Sequence, residues 1–151
     1  MTIYLASPFF NEEERAVKDA VKQELLARGH EIIDPQNPAQ DSSGWEISNA
    51  EWGQKVFNAD LEKIAECNAM IAICWGLYSD SGTAWEIGYA MAKEIPVLVV
   101  VPDQMLNEKH SLMVANGSNN FVALSRFLKT DTNFLLFSPK KSHFLSGVTQ
   151  Q

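Results

Sequence analysis

Glu86 is the only charged residue between Thr83 and Ala92, a stretch in which every other side chain is small, apolar or aromatic. A helix that is apolar on all sides is normally buried on all sides, and an ionised carboxylate placed there is costly unless it is paired or used. At about 100° per residue, Ala84, Ile87, Gly88 and Met91 share one face, with Trp85, Glu86, Tyr89 and Ala90 opposite. We expect one face on the chain's own sheet, the other on a second surface, most simply another subunit, and Glu86 in the cleft between them. An exposed glutamate that complements the helix dipole is the plainer alternative.

Two further acids are candidates for the same chemistry. In a predicted helix over residues 48–66, Asp60 falls inside the apolar stripe of Val56, Phe57, Leu61 and Ile64. Asp80 opens the polar turn Asp80-Ser81-Gly82-Thr83, where Asp also serves as a helix cap. Three acids near aromatic residues suggest glycosidic-bond chemistry, in which one carboxylate attacks or stabilises an oxocarbenium-like centre and another manages the leaving group's proton. Phe9, Phe10 and Trp75 supply aromatic faces suited to a planar ring, although rim packing would use them equally well.

These residues must be positioned by a scaffold, and hydrophobic periodicity outlines it. Residues 2–7 read as a buried strand, 12–28 as a helix closed by Gly29, 30–33 as a second strand, 69–74 as a third, 83–93 as the helix of Glu86, and 96–101 as a strand covered on both faces. Between the second strand and the helix at 48–66, Pro35, Pro38 and Asp41-Ser42-Ser43-Gly44 make a long loop, usually a lid or rim. Beyond Pro102, residues 108–115 look helical, 116–120 a turn, 123–129 a short helix and 134–137 a last strand. Phe144 and Leu145 suggest a docked tail. Alternating strands and helices give one α/β domain over residues 1–151, a flavodoxin-like (Rossmann-like) parallel sheet with helices on both faces. Ligands in such sheets sit at the carboxyl ends of the strands.

Composition excludes several classes. The formal net charge of −7, with no basic cluster beyond Lys140-Lys141, argues against a nucleic-acid partner. No apolar run approaches the roughly 20 residues of a membrane span, and the start Met-Thr-Ile-Tyr-Leu-Ala-Ser-Pro lacks a secretory pattern, so a soluble, cytoplasmic protein is expected. Cys67 and Cys74 have no metal-type spacing, and His30, His110 and His143 are scattered, so no metal site is expected.

The chain resembles the nucleoside 2-deoxyribosyltransferases. The matching residues are Ile3-Tyr4-Leu5-Ala6-Ser7-Pro8-Phe9-Phe10, Asn58-Ala59-Asp60-Leu61 with Ile64, the segment from Asp80 to Ala90, and Leu112-Met113. That resemblance implies transfer of 2-deoxyribose between nucleobases by double displacement without a cofactor. Glu86 would be the nucleophile and Tyr4 the phenol that orients it. Asp60 and Asp80 would bind the base and handle its proton. Phe10, Gln36, Gly82, Ser111, Met113 and the C-terminal Gln151 would contact substrate, some of them across the subunit interfaces of a homo-oligomer. Where the family commonly has Asn, this chain has Ser111, and it ends in Gln151 where an aromatic residue is frequent. A hydrolase of 2′-deoxynucleoside 5′-monophosphates and a non-catalytic nucleotide-binding module are the alternative readings.

Overall fold

The computed structural model describes residues 1–35 and 50–139. The long loop with Gln36, and the tail with Phe144, Leu145 and Gln151, therefore lie outside the described residues.

Five parallel strands, β1 (Thr2–Ala6), β2 (Glu31–Ile33), β3 (Ala69–Ile73), β4 (Val97–Val101) and β5 (Asn120–Ala123), form one sheet in the order β2-β1-β3-β4-β5. Burial of β1, β3 and β4 on both faces follows from their almost continuous aliphatic sequence. Helices α2 (Ala50–Glu66), α3 (Ser81–Ala92) and α4 (Leu112–Gly117) cover one face through Ile64, Ile87, Ala90 and Ala115. Helices α1 (Glu12–Ala27), α5 (Leu124–Phe127) and α6 (Thr132–Phe137) cover the other through Val21, Leu25, Phe127, Leu135 and Leu136. The expected α/β sheet with helices on both faces is thus observed. Its order places the topological switch between β1 and β3, where the chain leaves the sheet centre in opposite directions.

The helix boundaries have local causes. Asn11 caps α1 by accepting the Glu14 amide at 2.8 Å, with Glu12, Glu13 and Glu14 in the first turn complementing the dipole. Gly29 ends it with φ +81, its amide donating to Leu26.

The second half departs from the periodicity reading. Residues 134–137, Phe-Leu-Leu-Phe, belong to α6 rather than to a strand: the Asp131 side chain accepts the Phe134 amide at 3.0 Å, and Leu135 and Leu136 turn inward while Phe134 and Phe137 face out. A four-residue apolar run carries no period of its own, so the cap decides. Asn120, expected in a turn, instead begins the edge strand β5. Its neighbour Asn119 accepts the Val97 amide at 2.8 Å, and Asn120, fully buried, donates to the carbonyls of Leu135 and Ser138. Asparagine side chains here take the place of backbone partners. The helix expected at 108–115 is displaced to α4, because Ser111 caps it by accepting from Val114, and a single 3-10 turn, Asp103–Met105, follows β4.

Candidate active site

Helix α3 decides the position of Glu86. Its inward side is Thr83, Ile87 and Ala90, with Glu86 and Tyr89 at the margin. The wheel left open which of its two faces meets the sheet, and the buried side takes residues from both: Ile87 of one and Ala90 of the other are buried, whereas Ala84, Gly88 and Met91 are exposed. Ile87 and Ala90 join the core cluster on that face of the sheet, which leaves Glu86 at its margin.

Tyr4 stands in the middle of β1, fully buried, and its hydroxyl donates to Glu86 Oε1 at 3.2 Å. This joins the first strand to the third helix across 82 residues of sequence. Burial pushes the Glu86 carboxyl up from its ordinary 4.5 to about 7; the Tyr4 hydrogen bond opposes that rise, and the negative charges of Asp60 and Asp80 add to it. Tyr4 itself is held far above the usual phenol range by burial and by the charges of Glu86 and Asp60. It therefore acts as a donor and keeps its proton.

Asp60 lies on α2, partly buried, its proton affinity raised by burial and held back by Lys63, whose Nζ is 3.6 Å from Oδ1. That lysine is a partner the sequence reading missed, although an i,i+3 spacing on one helix pointed to it. Asp80 caps α3: its Oδ2 accepts both the amide and the hydroxyl of Thr83, at 2.8 and 2.9 Å. The capping reading of Asp80 is thus realised. It coexists with an electrostatic role, since Asp80's charge bears on Glu86. Gly82 leaves room for this carboxylate, because a Cβ there would come within 3.2 Å of Asp80 Oδ2.

The remaining predicted residues fall at the rim. Phe10 is 62% exposed and stacks on Phe9 with ring centroids 5.1 Å apart, whereas Trp75 is partly buried against the core on the face covered by α1, α5 and α6. Ser111 caps α4, and next to it Leu112 and Met113 are 69% and 83% exposed. Nothing among the described residues covers them. Trp85, 51% exposed, stacks on Tyr89 at 5.7 Å and meets Phe57 edge-on at 5.3 Å, adding an aromatic strip on the outer side of α2 and α3. Gln36 and Gln151 lie outside the described residues. Among the described residues no group of His, Cys, Asp and Glu has the arrangement of a metal site, and no helix is long and apolar enough to cross a membrane.

The arrangement offers a partly buried carboxylate oriented by a phenol, with two further acids acting on it. That is a chemistry of attack at an electrophilic carbon combined with proton transfer to a leaving group. The family profile described as nucleoside 2-deoxyribosyltransferase matches residues 3–120. A nucleoside deoxyribosyltransferase of Lactobacillus johnsonii is 28% identical over 140 residues, covering 85% of this chain and 92% of that protein. The solved structure of a 2-deoxyribosyltransferase from Bacillus psychrosaccharolyticus superposes with a TM-score of 0.74 at 32% identity, covering 92% of this chain and 98% of that one. A Clostridium botulinum CMP N-glycosidase shares the fold, with a TM-score of 0.59 at 19% identity over 85% of this chain and 96% of that one. On a profile that spans most of the sequence and a relative that covers nearly all of it, the chain belongs to the nucleoside 2-deoxyribosyltransferase family of glycosyl-transferring enzymes.

Proposed function

We propose that the chain exchanges bases between 2′-deoxynucleosides by a retaining double displacement in which Glu86 is the nucleophile. The observation that supports this most directly is the Glu86 carboxylate itself, partly buried and bonded to the Tyr4 hydroxyl at 3.2 Å. In the first step a Glu86 oxygen bonds to the anomeric carbon as the glycosidic C–N bond breaks, and the departing base takes a proton from Asp60. In the second, a nitrogen of the arriving base bonds to the same carbon, its proton passes to Asp60, and Glu86 leaves as carboxylate. Two inversions give retention.

Asp60 suits proton exchange because burial raises its affinity for a proton while Lys63 limits the rise. Asp80 contributes charge and, through Oδ1, base recognition; its other oxygen is committed to Thr83. Phe10, Gly82, Ser111, Met113, Gln36 and Gln151 complete the substrate contacts in this reading. Exposed Trp85, Met91, Leu112 and Met113 suit a homo-oligomer in which one protomer's Ser111 and Met113 face its neighbour's site. A cytoplasmic enzyme is consistent with the free, buried Cys67 and Cys74.

Incubation with deoxyinosine and adenine tests the reading. New deoxyadenosine is expected; free deoxyribose without deoxyadenosine would assign hydrolysis instead, and unchanged deoxyinosine would overturn both. A deoxyribosyl adduct on the Glu86 peptide, found by mass spectrometry after acid quenching, distinguishes the covalent route from direct displacement.

A further inference from the structure

Lys18 is 6% exposed on the inward side of α1, in line with Val21 and Leu25. Lysine is seldom buried unless paired, and its Nζ lies 2.8 Å from Asp34 Oδ1, at the carboxyl end of β2. Replacing a buried ion pair by apolar side chains is often neutral or stabilising, so stability alone does not account for a charge here. The same ammonium sits 5.7 Å from the centroid of the Phe9 ring. Phe9 in turn stacks on Phe10 at 5.1 Å with 23° between the ring planes. Helix α1 also fixes the backbone of this pair: Arg15 donates to the Phe9 carbonyl at 3.1 Å, and Glu14 accepts the Phe10 amide at 2.7 Å. The backbone is thus held by Glu14 and Arg15, while the ring of Phe9 rests over the clamped ammonium.

We infer that Lys18 is a positioning residue for base recognition: clamped by Asp34, it supports the stacked rings of Phe9 and Phe10, so that a planar heteroaromatic base meets a shelf of fixed orientation. This rests on the reading of Phe10 as a base contact. A cation behind an aromatic ring is attracted to the ring's negative face, and in an apolar setting it holds the ring more firmly than a methylene chain of equal length. Asp34 simultaneously ties the end of β2 to the same helix, so two of the loops at the carboxyl edge share one anchor.

Lys18→Met keeps the length of the chain and leaves Asp34 paired with Lys22, 3.0 Å away, so no carboxylate is orphaned. The expected result is a roughly three- to tenfold rise in KM for the acceptor base with kcat within about twofold of wild type. Lys18→Arg should restore KM, because a guanidinium can both pair with a carboxylate and stack on a ring. Phe9→Leu should give a similar rise, and Lys18→Met combined with it should add little more, since both changes remove one contact. An unchanged KM in Lys18→Met, or full additivity of the pair, would overturn the inference. Phe10→Ala, assayed alongside, separates the two levels: if it raises KM while Lys18→Met does not, only the role of Lys18 fails, and if it leaves KM unchanged, the base-contact reading fails and this inference with it. Should Lys18→Met not fold, Phe9→Leu and Lys18→Arg carry the test between them, a KM raised in the first and normal in the second being the supporting pattern and any other pattern overturning it.

Discussion

Glu86→Gln should make the protein more stable and inactive at once, and the stability gain should depend on pH in a direction fixed by the site. The folded chain holds the Glu86 carboxyl at about 7 against an ordinary value of 4.5, so folding works against its ionised form. A carboxyl with a raised folded value contributes no penalty while it is protonated in both states. The penalty grows as pH rises from about 4.5 and is complete above about 7. With roughly 1.36 kcal/mol per pH unit, its upper bound is about 3 kcal/mol at pH 8 and about 1 kcal/mol at pH 5. Glutamine has nearly the same shape, cannot ionise, and can still accept the Tyr4 hydroxyl. Thermal and urea unfolding of wild type and variant at both pH values is the assay. For a domain of this size the difference in Tm should approach about 6–10 °C at pH 8 and shrink to a few degrees at pH 5. A difference independent of pH would refute the assignment of the titration to Glu86. Transfer should fall by at least about a thousandfold, or about 4 kcal/mol of transition-state stabilisation; a variant that kept more would refute the nucleophile assignment. In the wild type, transfer should decline as pH drops through about 7, where Glu86 gains its proton.

Tyr4→Phe removes the one hydrogen bond that lowers the proton affinity of Glu86, so the acid limb of the pH–rate profile should move up by as much as about one unit and kcat fall about 10- to 100-fold. Asp60→Asn should slow transfer most for donors whose base is a poor leaving group; an equal loss for all donors would mark Asp60 as structural. Trp85→Glu places a charge in the exposed aromatic strip beside Phe57 and Tyr89 and should shift sedimentation toward smaller species without lowering Tm of the protomer fold by more than a few degrees. Arg28, which pairs with Glu24, donates to the Phe127 carbonyl and to Thr132 Oγ1, and lies over the Phe127 ring, ties α1 to α5 and α6. Arg28→Ala should cost about 2–3 kcal/mol in urea unfolding, and Arg28→Lys should recover less than half, because a single ammonium cannot span three acceptors.

Four of the five strands were legible, three of them because residues 2–7, 69–74 and 96–101 are nearly unbroken aliphatic runs, and helices α1 and α3 carry their own signals, Asn11 and Gly29 for one, Asp80 for the other. Glu86 and Asp60 stood out for a reason internal to the sequence: each is an acid in a stretch whose neighbours are apolar. The chain beyond Pro102 was not legible in the same way. Its strand begins at Asn120, and the side chains of Asn119, just before it, and of Asn120 bond to backbone groups; the Phe-Leu-Leu-Phe run of α6 is too short to carry a period, so the partners of these asparagines and the cap at Asp131 decided those elements. Only the tertiary structure selected which face of α3 meets the sheet and buried Lys18 beside Asp34 and Phe9, and it made the contact of Tyr4 with Glu86 that the family resemblance implied but no periodicity did. The physical reason is common to the cross-chain cases. Periodicity reports how much of a helix or strand is buried, whereas the partner of a buried charge is chosen by side chains that the parallel topology brings together from distant parts of the chain.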